Sequence, residues 1–209
     1  VLQVEKNLRN ERRRFVRHNA RGVDLNRNFP SYWGKRGLAR LLLWPVFRPG
    51  SRAASEPEVR AITSWLHGSM IGRAISFHSF GGMVLFPYGA MWRPPIDVAE
   101  HRRWARHIAE RADPTHPYRA VQSSRWVPGF TAPGMELDWF HDQHGALSLL
   151  IEVSRGGILD PSFRGSRWGW LRKALEPFAW FNPPRPERSA LALAGAVEPF
   201  VRGLVRPEG

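Results

Sequence analysis

The hydrophobic positions of this chain include three runs that have the length of β-strands. Ala74 to His78 and Met83 to Pro87 are apolar runs separated by a Gly-Gly pair. Ala146 to Val153 is a near-continuous apolar run that a second Gly-Gly pair ends, which is the pattern of a strand buried on both faces. These runs predict a sheet in which the third strand lies in the interior.

Segments with helical periodicity alternate with these runs. Ser55 and Glu58 have the spacing of a capping box, with Ser55 as the N-cap and Pro57 in the first turn, so a helix is predicted from there to about Gly68. Further helices are predicted over Ile96 to Ala112, Leu137 to Gln143 and about Glu187 to Val205. Helices that alternate with buried strands predict an α/β layered fold with a mostly parallel sheet, in which ligands bind at the carboxyl ends of strands.

The remaining segments are predicted to be loops of a single domain. Tyr32 to Ala54, which is rich in Gly and Pro, is predicted to be a long loop of the kind that surrounds a site. Val1 to Val4 has the pattern of the end of a strand whose beginning is missing. A length of 209 residues with 43% hydrophobic content suffices for one core, and no linker or repeat divides the chain, so we expect one domain over residues 1–209.

The net charge of +13 is carried almost entirely by arginine, since only three of the 31 basic residues are lysines. Such a charge is typical of proteins that bind nucleic acid or another polyanion. The arginines, however, are spread along the whole chain apart from a cluster at Arg9 to Arg21, and a GC-rich genome explains their use equally well. We therefore expect a function other than nucleic-acid binding.

The chain has no cysteine, which excludes disulfides and thiolate metal ligands. Any metal ion must therefore be held by His, Asp or Glu side chains. No apolar stretch approaches the roughly 18 residues that a membrane-spanning helix requires, so no membrane span is predicted.

Four residues combine polar chemistry with a special place in the pattern. Glu152 lies inside an apolar run. Burying a charged carboxylate there costs on the order of several kcal/mol, which a cationic partner or a metal must offset. Glu152 is either a strand-end residue paired with an arginine or a general base beside a metal-bound water. His78 presents the same choice between a hydrogen-bonded rim residue and a ligand. Asn26 and Arg27 form either a solvated turn or a pair suited to bidentate recognition of a carboxylate.

The order of four motifs decides between these alternatives. They are GVDLNRNF at Gly22 to Phe29, SEPE at Ser55 to Glu58, SFHSFGGMVLFPYG at Ser76 to Gly89, and ELDWFHDQHGALSLLIEV at Glu136 to Val153. In these motifs and their order the chain resembles the zinc metallocarboxypeptidases, the carboxypeptidase A-like (M14-type) peptidases, from about residue 8 to 155. The resemblance implies a three-layer α/β/α fold with a mixed, mostly parallel sheet that lacks its N-terminal strands.

The resemblance also implies the roles of individual residues. His78 matches the third zinc ligand of the family, and Glu152 matches the glutamate that activates the zinc-bound water and passes its proton to the leaving amine. Asn26 and Arg27 match the pair that holds the terminal carboxylate of the substrate, which agrees with the chemistry of the two side chains.

Three further matches concern the substrate. Arg9 matches the arginine that polarises the scissile carbonyl, although Arg12 to Arg14 compete for that role. Leu137 matches a position in the pocket for the C-terminal side chain and favours apolar or neutral side chains there. Phe130 stands where the family usually has a tyrosine on a mobile loop, so the ring is kept and the hydroxyl is lost.

The first two zinc ligands of the family come from a His-x-x-Glu segment, and no such segment precedes GVDLNRNF in this sequence. His107 to Glu110 has this spelling, but it comes at the wrong place in the order and is interpreted as a solvated helix face. Three protein ligands are the usual minimum for a catalytic zinc. We therefore expect this chain to be the C-terminal two-thirds of a peptidase domain that binds one Zn²⁺ when complete, and to be inactive alone.

The expected substrate is a peptide or the peptide of peptidoglycan, cleaved at a C-terminal peptide or isopeptide bond. The complete protein is expected to be a monomer, and the family favours a secreted or periplasmic location. The alternative is an inactive member of the same fold that binds peptide carboxylates or polyanions without hydrolysis.

Overall fold

The computed structural model describes residues 17–35, 47–113, 116–127, 129–153 and 186–203. These residues contain four strands, β1 (Arg73–His78), β2 (Met83–Phe86), β3 (Arg119–Gln122) and β4 (Leu147–Glu152), and four α-helices, α1 (Pro57–Trp65), α2 (Val98–Ala112), α3 (Glu136–His144) and α4 (Pro186–Arg202). Two 3₁₀ turns, Leu25–Arg27 and Ser123–Arg125, complete the described elements. Predictions for Val1 to Val4, Arg9 and Arg12 to Arg14 lie outside the described residues.

The strands form one sheet in the order β1-β4-β2-β3. β1 pairs with β4 in parallel and β2 pairs with β3 in parallel, whereas β2 and β4 are antiparallel. The register of the first pair sets Arg73 opposite Leu147 and His78 opposite Glu152. The predicted mixed α/β sheet is therefore confirmed, and it is an open sheet rather than a closed barrel.

β4 is covered on both of its faces, as its unbroken apolar pattern predicted. Leu149 and Ile151 pack into a cluster with Trp104 of α2 and Phe200 of α4. Leu150, which points to the opposite face, packs into a second cluster that includes Leu137 of α3 and Met83. Helices α2 and α4 thus form one outer layer and α3 contributes to the other, which gives the predicted three layers.

The predicted N-cap of α1, Ser55, is wrong. The helix begins at Pro57 with Glu56 as the N-cap, and no side chain caps it from within the predicted box. Asn28 replaces the box, because its Oδ1 accepts a hydrogen bond from the backbone nitrogen of Glu56 at 3.1 Å. The hydroxyl of Ser55 instead donates to the Glu56 carboxylate at 2.8 Å. A distant residue of the GVDLNRNF motif therefore caps this helix.

The other elements lie close to their predicted positions, with one omission. β3 was not predicted, since its four residues carry only two apolar side chains and follow α2 after a short loop. No helix among the described residues is long and apolar enough to cross a membrane.

Candidate functional site

His78 and Glu152 end β1 and β4, and they are direct partners in the parallel register. The carbonyl of His78 accepts a hydrogen bond from the backbone nitrogen of Val153 at 2.7 Å, which holds the two strand ends together. Neighbouring residues of a parallel pair project from the same face of the sheet, so the imidazole and the carboxylate lie side by side. The sequence predicted both residues, and the structure brings them together.

The carboxylate of Glu152 lies in a place that disfavours its charge. Burial raises its pKa to about 7, and the neighbouring carboxylate of Glu136 adds to this effect, while His78, Arg17 and Arg27 oppose it. Among the described residues, Glu152 forms no ion pair with an arginine. The interpretation of Glu152 as a strand-end residue paired with an arginine therefore finds no support in the described part of the chain.

A carboxylate that the sequence did not single out contacts His78. Oε1 of Glu136, the first residue of α3, lies 2.6 Å from Nε2 of His78 and accepts a hydrogen bond from the hydroxyl of Ser76 at 2.8 Å. Burial opposes the charge of each partner, but the attraction between them wins, so the pKa of His78 is raised and that of Glu136 is lowered. The only sequence signal for Glu136 was its place at the start of the fourth motif.

Asn26 and Arg27 lie in the 3₁₀ turn, whose shape Asp24 determines. The side chain of Asp24 accepts a hydrogen bond from the backbone nitrogen of Asn26 at 3.2 Å, and Arg17 contacts the other oxygen of Asp24 at 2.7 Å. The Oδ1 atom of Asn26 accepts a hydrogen bond from the backbone nitrogen of Glu136 at 3.1 Å. This last bond joins the turn to the start of α3 and so to His78.

Gly134 makes the junction between the turn and α3 possible. Its carbonyl accepts a hydrogen bond from the backbone nitrogen of Phe29 at 3.0 Å. Its φ angle is +78°, and a Cβ atom there would lie 2.4 Å from the carbonyl oxygen of Arg27. Only glycine combines this backbone conformation with so close an approach.

Arg27 is half-buried and packs against an aromatic ring. Its guanidinium carbon lies 4.8 Å from the centre of the Phe47 ring, and burial lowers its pKa. Phe47 contacts Phe130 edge to face, with ring centres 5.9 Å apart. Phe130 is thus adjacent to the turn through Phe47, a residue of the long predicted loop that nothing in the sequence distinguished.

The residues that follow Glu136 in α3 pack into the interior. Leu137 is fully buried in the cluster with Met83, Leu85 and Leu150, so its described contacts are those of a core residue. Both oxygens of the Asp138 carboxylate accept backbone hydrogen bonds, from Gly89 at 2.8 Å and Ala90 at 2.9 Å. Burial raises the pKa of Asp138 to about 7, although these two bonds oppose the shift.

A second group of potential metal ligands lies away from these residues in the sequence. Ligand atoms of Asp97, His101 and His141 lie within 4.8 Å of one another. However, Nε2 of His101 accepts a hydrogen bond from the backbone nitrogen of Ser148 at 3.2 Å, so the proton of this ring is on Nδ1, 3.1 Å from Asp97. A metal at Nδ1 would have to displace that proton and break the bond to Ser148. The group is better explained as a packing contact between helices, in which the rings of His101 and His141 lie edge to face with their centres 5.1 Å apart.

The His-x-x-Glu spelling in α2 is not part of a metal group among the described residues. His107 is half-buried with its ring 5.5 Å from that of Trp104, so the expectation that it is solvated is wrong, while Glu110 is exposed as expected. Burial lowers the pKa of His107. The imidazole of His78, by contrast, is next to the acidic side chains of Glu136 and Glu152.

Several known proteins resemble this chain in sequence and in fold. The family model of the zinc carboxypeptidases, peptidase M14, matches residues 3–168. Mast cell carboxypeptidase A of Mus musculus is 28% identical over 148 residues, which are 68% of this chain and 35% of that protein. Carboxypeptidase A5 of Macaca fascicularis is 32% identical over 165 residues, which are 74% of this chain and 37% of that protein.

A solved structure, the carboxypeptidase A from Helicoverpa armigera, has the same fold. It superposes with a TM-score of 0.69 at 21% identity and covers 96% of this chain and 48% of its own. The chain thus spans little more than a third of the length of the two curated relatives. The family model covers well over half of the sequence, and on this ground the chain belongs to the zinc carboxypeptidase family, peptidase M14.

Proposed function

We propose that this chain supplies the substrate-binding residues, one zinc ligand and the general base of a peptidase that hydrolyses a C-terminal peptide bond or a cell-wall isopeptide bond. The observation that carries the proposal is the direct pairing of His78 with Glu152 at the ends of two parallel strands. The ligands that complete the zinc site would come from a His-x-x-Glu segment of the whole protein.

The residues of this chain fit the donor chemistry of zinc, which favours imidazole and carboxylate ligands where no thiolate is present. His78 would be the protein ligand from this chain. When bound, zinc acts as a Lewis acid toward the substrate carbonyl and lowers the pKa of an attacking water. Glu152 would take the proton from that water and pass it to the nitrogen of the leaving amine. In the metal-free chain the pKa of Glu152 is raised to about 7, and the positive charge of a bound zinc would lower it again, which favours the carboxylate form that a base requires.

The substrate carboxylate would bind to Arg27 and Asn26. The guanidinium of Arg27 offers a bidentate contact, and its half-buried position against Phe47 strengthens the interaction because water screens it less. Asn26 uses Oδ1 for the backbone of Glu136, which directs its amide protons elsewhere. Arg9 would stabilise the oxyanion, and Phe130 would border the carboxylate. Leu137, which is fully buried, would support the pocket for the terminal side chain only from behind.

The test uses the parent gene product, including the residues upstream of Val1, with peptides that end in a free carboxylate. We expect Glu152→Gln to lower kcat on the order of 10²- to 10⁴-fold with bound zinc unchanged, as expected for loss of a general base. The matched control is the double variant His107→Gln with Glu110→Gln, which removes the other His-x-x-Glu spelling and should leave zinc content and kcat unchanged. Absence of zinc from the unmodified protein would refute the proposal.

The second candidate function is binding without hydrolysis, by an inactive member of the fold that holds peptide carboxylates or polyanions. It is favoured by the turn at Asn26 and Arg27, because the contacts that hold this turn come from residues of this chain, namely Asp24, Glu136 and Phe47. Under this alternative a peptide with a free C-terminus binds to this chain and its C-terminal amide does not. Arg27→Ala should then weaken binding about 10- to 100-fold, the loss of one charge-assisted contact. Release of the terminal amino acid would exclude this alternative.

A further inference from the structure

We infer that Glu136 is a positioning residue that fixes the tautomer of His78, so that Nδ1 is the atom presented to the metal. This inference rests on the proposed function for the identity of the ligand. It adds a role for a carboxylate that neither the motifs nor the chemistry of hydrolysis assigned.

The direction of the hydrogen bond follows from the two partners. A carboxylate can only accept, so the ring nitrogen 2.6 Å from Oε1 of Glu136 must carry the proton, and that nitrogen is Nε2 of His78. A neutral imidazole has a single N–H group. The lone pair of His78 is therefore on Nδ1, which is the only ring atom left for a metal.

The same oxygen of Glu136 is held from a second side. The hydroxyl of Ser76 lies 2.8 Å from Oε1, and Ser76 is two residues before His78 on the same face of β1. The backbone nitrogen of Glu136 is bonded in turn to Asn26. These contacts fix both the side chain and the backbone of Glu136. The carboxylate can therefore hold the imidazole in one orientation, instead of moving together with it.

The charge of Glu136 makes this contact sensitive to a metal. The residue is only 7% exposed, and its Oε2 atom is buried with no hydrogen-bond partner among the described residues. A buried carboxylate in this position gains from any positive charge placed on the imidazole that it contacts. A metal ion at Nδ1 supplies such a charge, and the carboxylate raises the basicity of the ligand in return.

The test measures the tautomer directly, by long-range ¹H–¹⁵N correlation on this chain labelled with ¹⁵N-histidine, at a pH at which His78 is neutral. We expect the Nε2–H form in the unmodified chain and in Glu136→Gln, since the amide oxygen of glutamine still accepts. Glu136→Leu should give a mixture of both forms. Ser76→Ala, which removes the other bond to the same oxygen, is the matched control and should keep the Nε2–H form.

The second readout is zinc affinity of the parent gene product, measured by competition with a chelator. We expect Glu136→Leu to weaken zinc binding about 10- to 100-fold, with a smaller loss for Glu136→Gln. An Nδ1–H tautomer in the unmodified chain would overturn the inference without the need for any variant, as would equal zinc affinity in Glu136→Leu. A locked Nε2–H tautomer in a parent protein that binds no zinc would instead overturn the proposed function.

Discussion

Asn28 is predicted to be the residue whose loss most disturbs the architecture around the turn. It is fully buried, and its Nδ2 atom donates to the carbonyls of Pro49 at 2.7 Å and Arg52 at 3.0 Å and to the hydroxyl of Ser55 at 3.0 Å. Its Oδ1 atom accepts from the backbone of Glu56 at 3.1 Å. One side chain thus joins the turn, the loop before α1 and the N-terminus of that helix.

The expected cost of Asn28→Ala follows from these bonds. Each hydrogen bond contributes about 1 kcal/mol net, and buried groups left unpaired add to the loss, so the free energy of unfolding should fall by about 3 to 5 kcal/mol. Asn28→Asp is nearly isosteric, but it replaces the Nδ2 donor by a carboxylate oxygen, which would face the carbonyl oxygens of Pro49 and Arg52. It should therefore be no more stable than Asn28→Ala, although it keeps an acceptor for Glu56.

The assay is urea unfolding followed by circular dichroism, with Gln143→Ala as the matched control. Gln143 is exposed on α3 and its side chain donates a hydrogen bond to its neighbour Asp142, so its loss should change stability by less than about 0.5 kcal/mol. A loss below about 1 kcal/mol for Asn28→Ala would refute the reasoning. So would an Asn28→Asp variant as stable as the unmodified chain.

Three further predictions concern the site itself. Because the folded state raises the pKa of Glu152 to about 7 from 4.5, its neutral form is favoured on folding; this contribution is full below pH 4.5 and is lost as pH rises through 7. The metal-free chain should lose about 3 kcal/mol of stability over this range. Glu152→Gln should remove that part of the pH dependence in urea titrations, while Glu110→Gln should not. Gly134→Ala should lower the free energy of unfolding by about 2 kcal/mol or more and weaken carboxylate binding, because its Cβ would meet Arg27. Gly145 has a φ of +62° but open space around it, so Gly145→Ala should lower the free energy of unfolding by about 1 kcal/mol. Equal losses for the two variants in thermal melts would contradict this. Phe130→Tyr should strengthen binding of a free C-terminus about fivefold, the value of one hydrogen bond, and unchanged affinity by calorimetry would show that the hydroxyl does not reach the carboxylate.

Much of this fold could be predicted because its central strand has an unambiguous pattern. Leu149, Leu150 and Ile151 are apolar without interruption, and each is at most 1% exposed. Such a run has to be covered on both faces, which requires helices on both sides of the sheet. β3 escaped prediction because it owes its pairing to the neighbouring strand β2, through the register of Met83 with Arg119, and not to its own composition.

The parts of the site that escaped prediction depend on contacts between distant segments. Ser55 and Glu58 have the spacing of a capping box, yet Asn28 contacts the helix start from 28 residues away and takes its place. Phe47 lies in a loop, and its contact with Arg27 depends on the path of that loop in the folded structure. The spacing of residues within a short segment predicts neither of these contacts. By contrast, His78 and Glu152 could be predicted because each ends an apolar strand, and strand ends in a layered α/β fold share one edge.

The charges around the candidate site are arranged in a way that the total of +13 conceals. Burial alone would lower the pKa of His78, but the carboxylates of Glu136 and Glu152 raise it, so the potential at the imidazole is negative and attracts a cation. At the adjacent turn, Arg17 and Arg27 both lie 4.8 Å from the ring of Phe47, where they attract an anion. A peptide C-terminus has a carbonyl that a cation polarises and, one residue further, a carboxylate that an arginine binds. The separation of charge between the two strand ends and the turn matches that order, which is why hydrolysis at a C-terminus is a better proposal than binding of a uniformly charged polyanion.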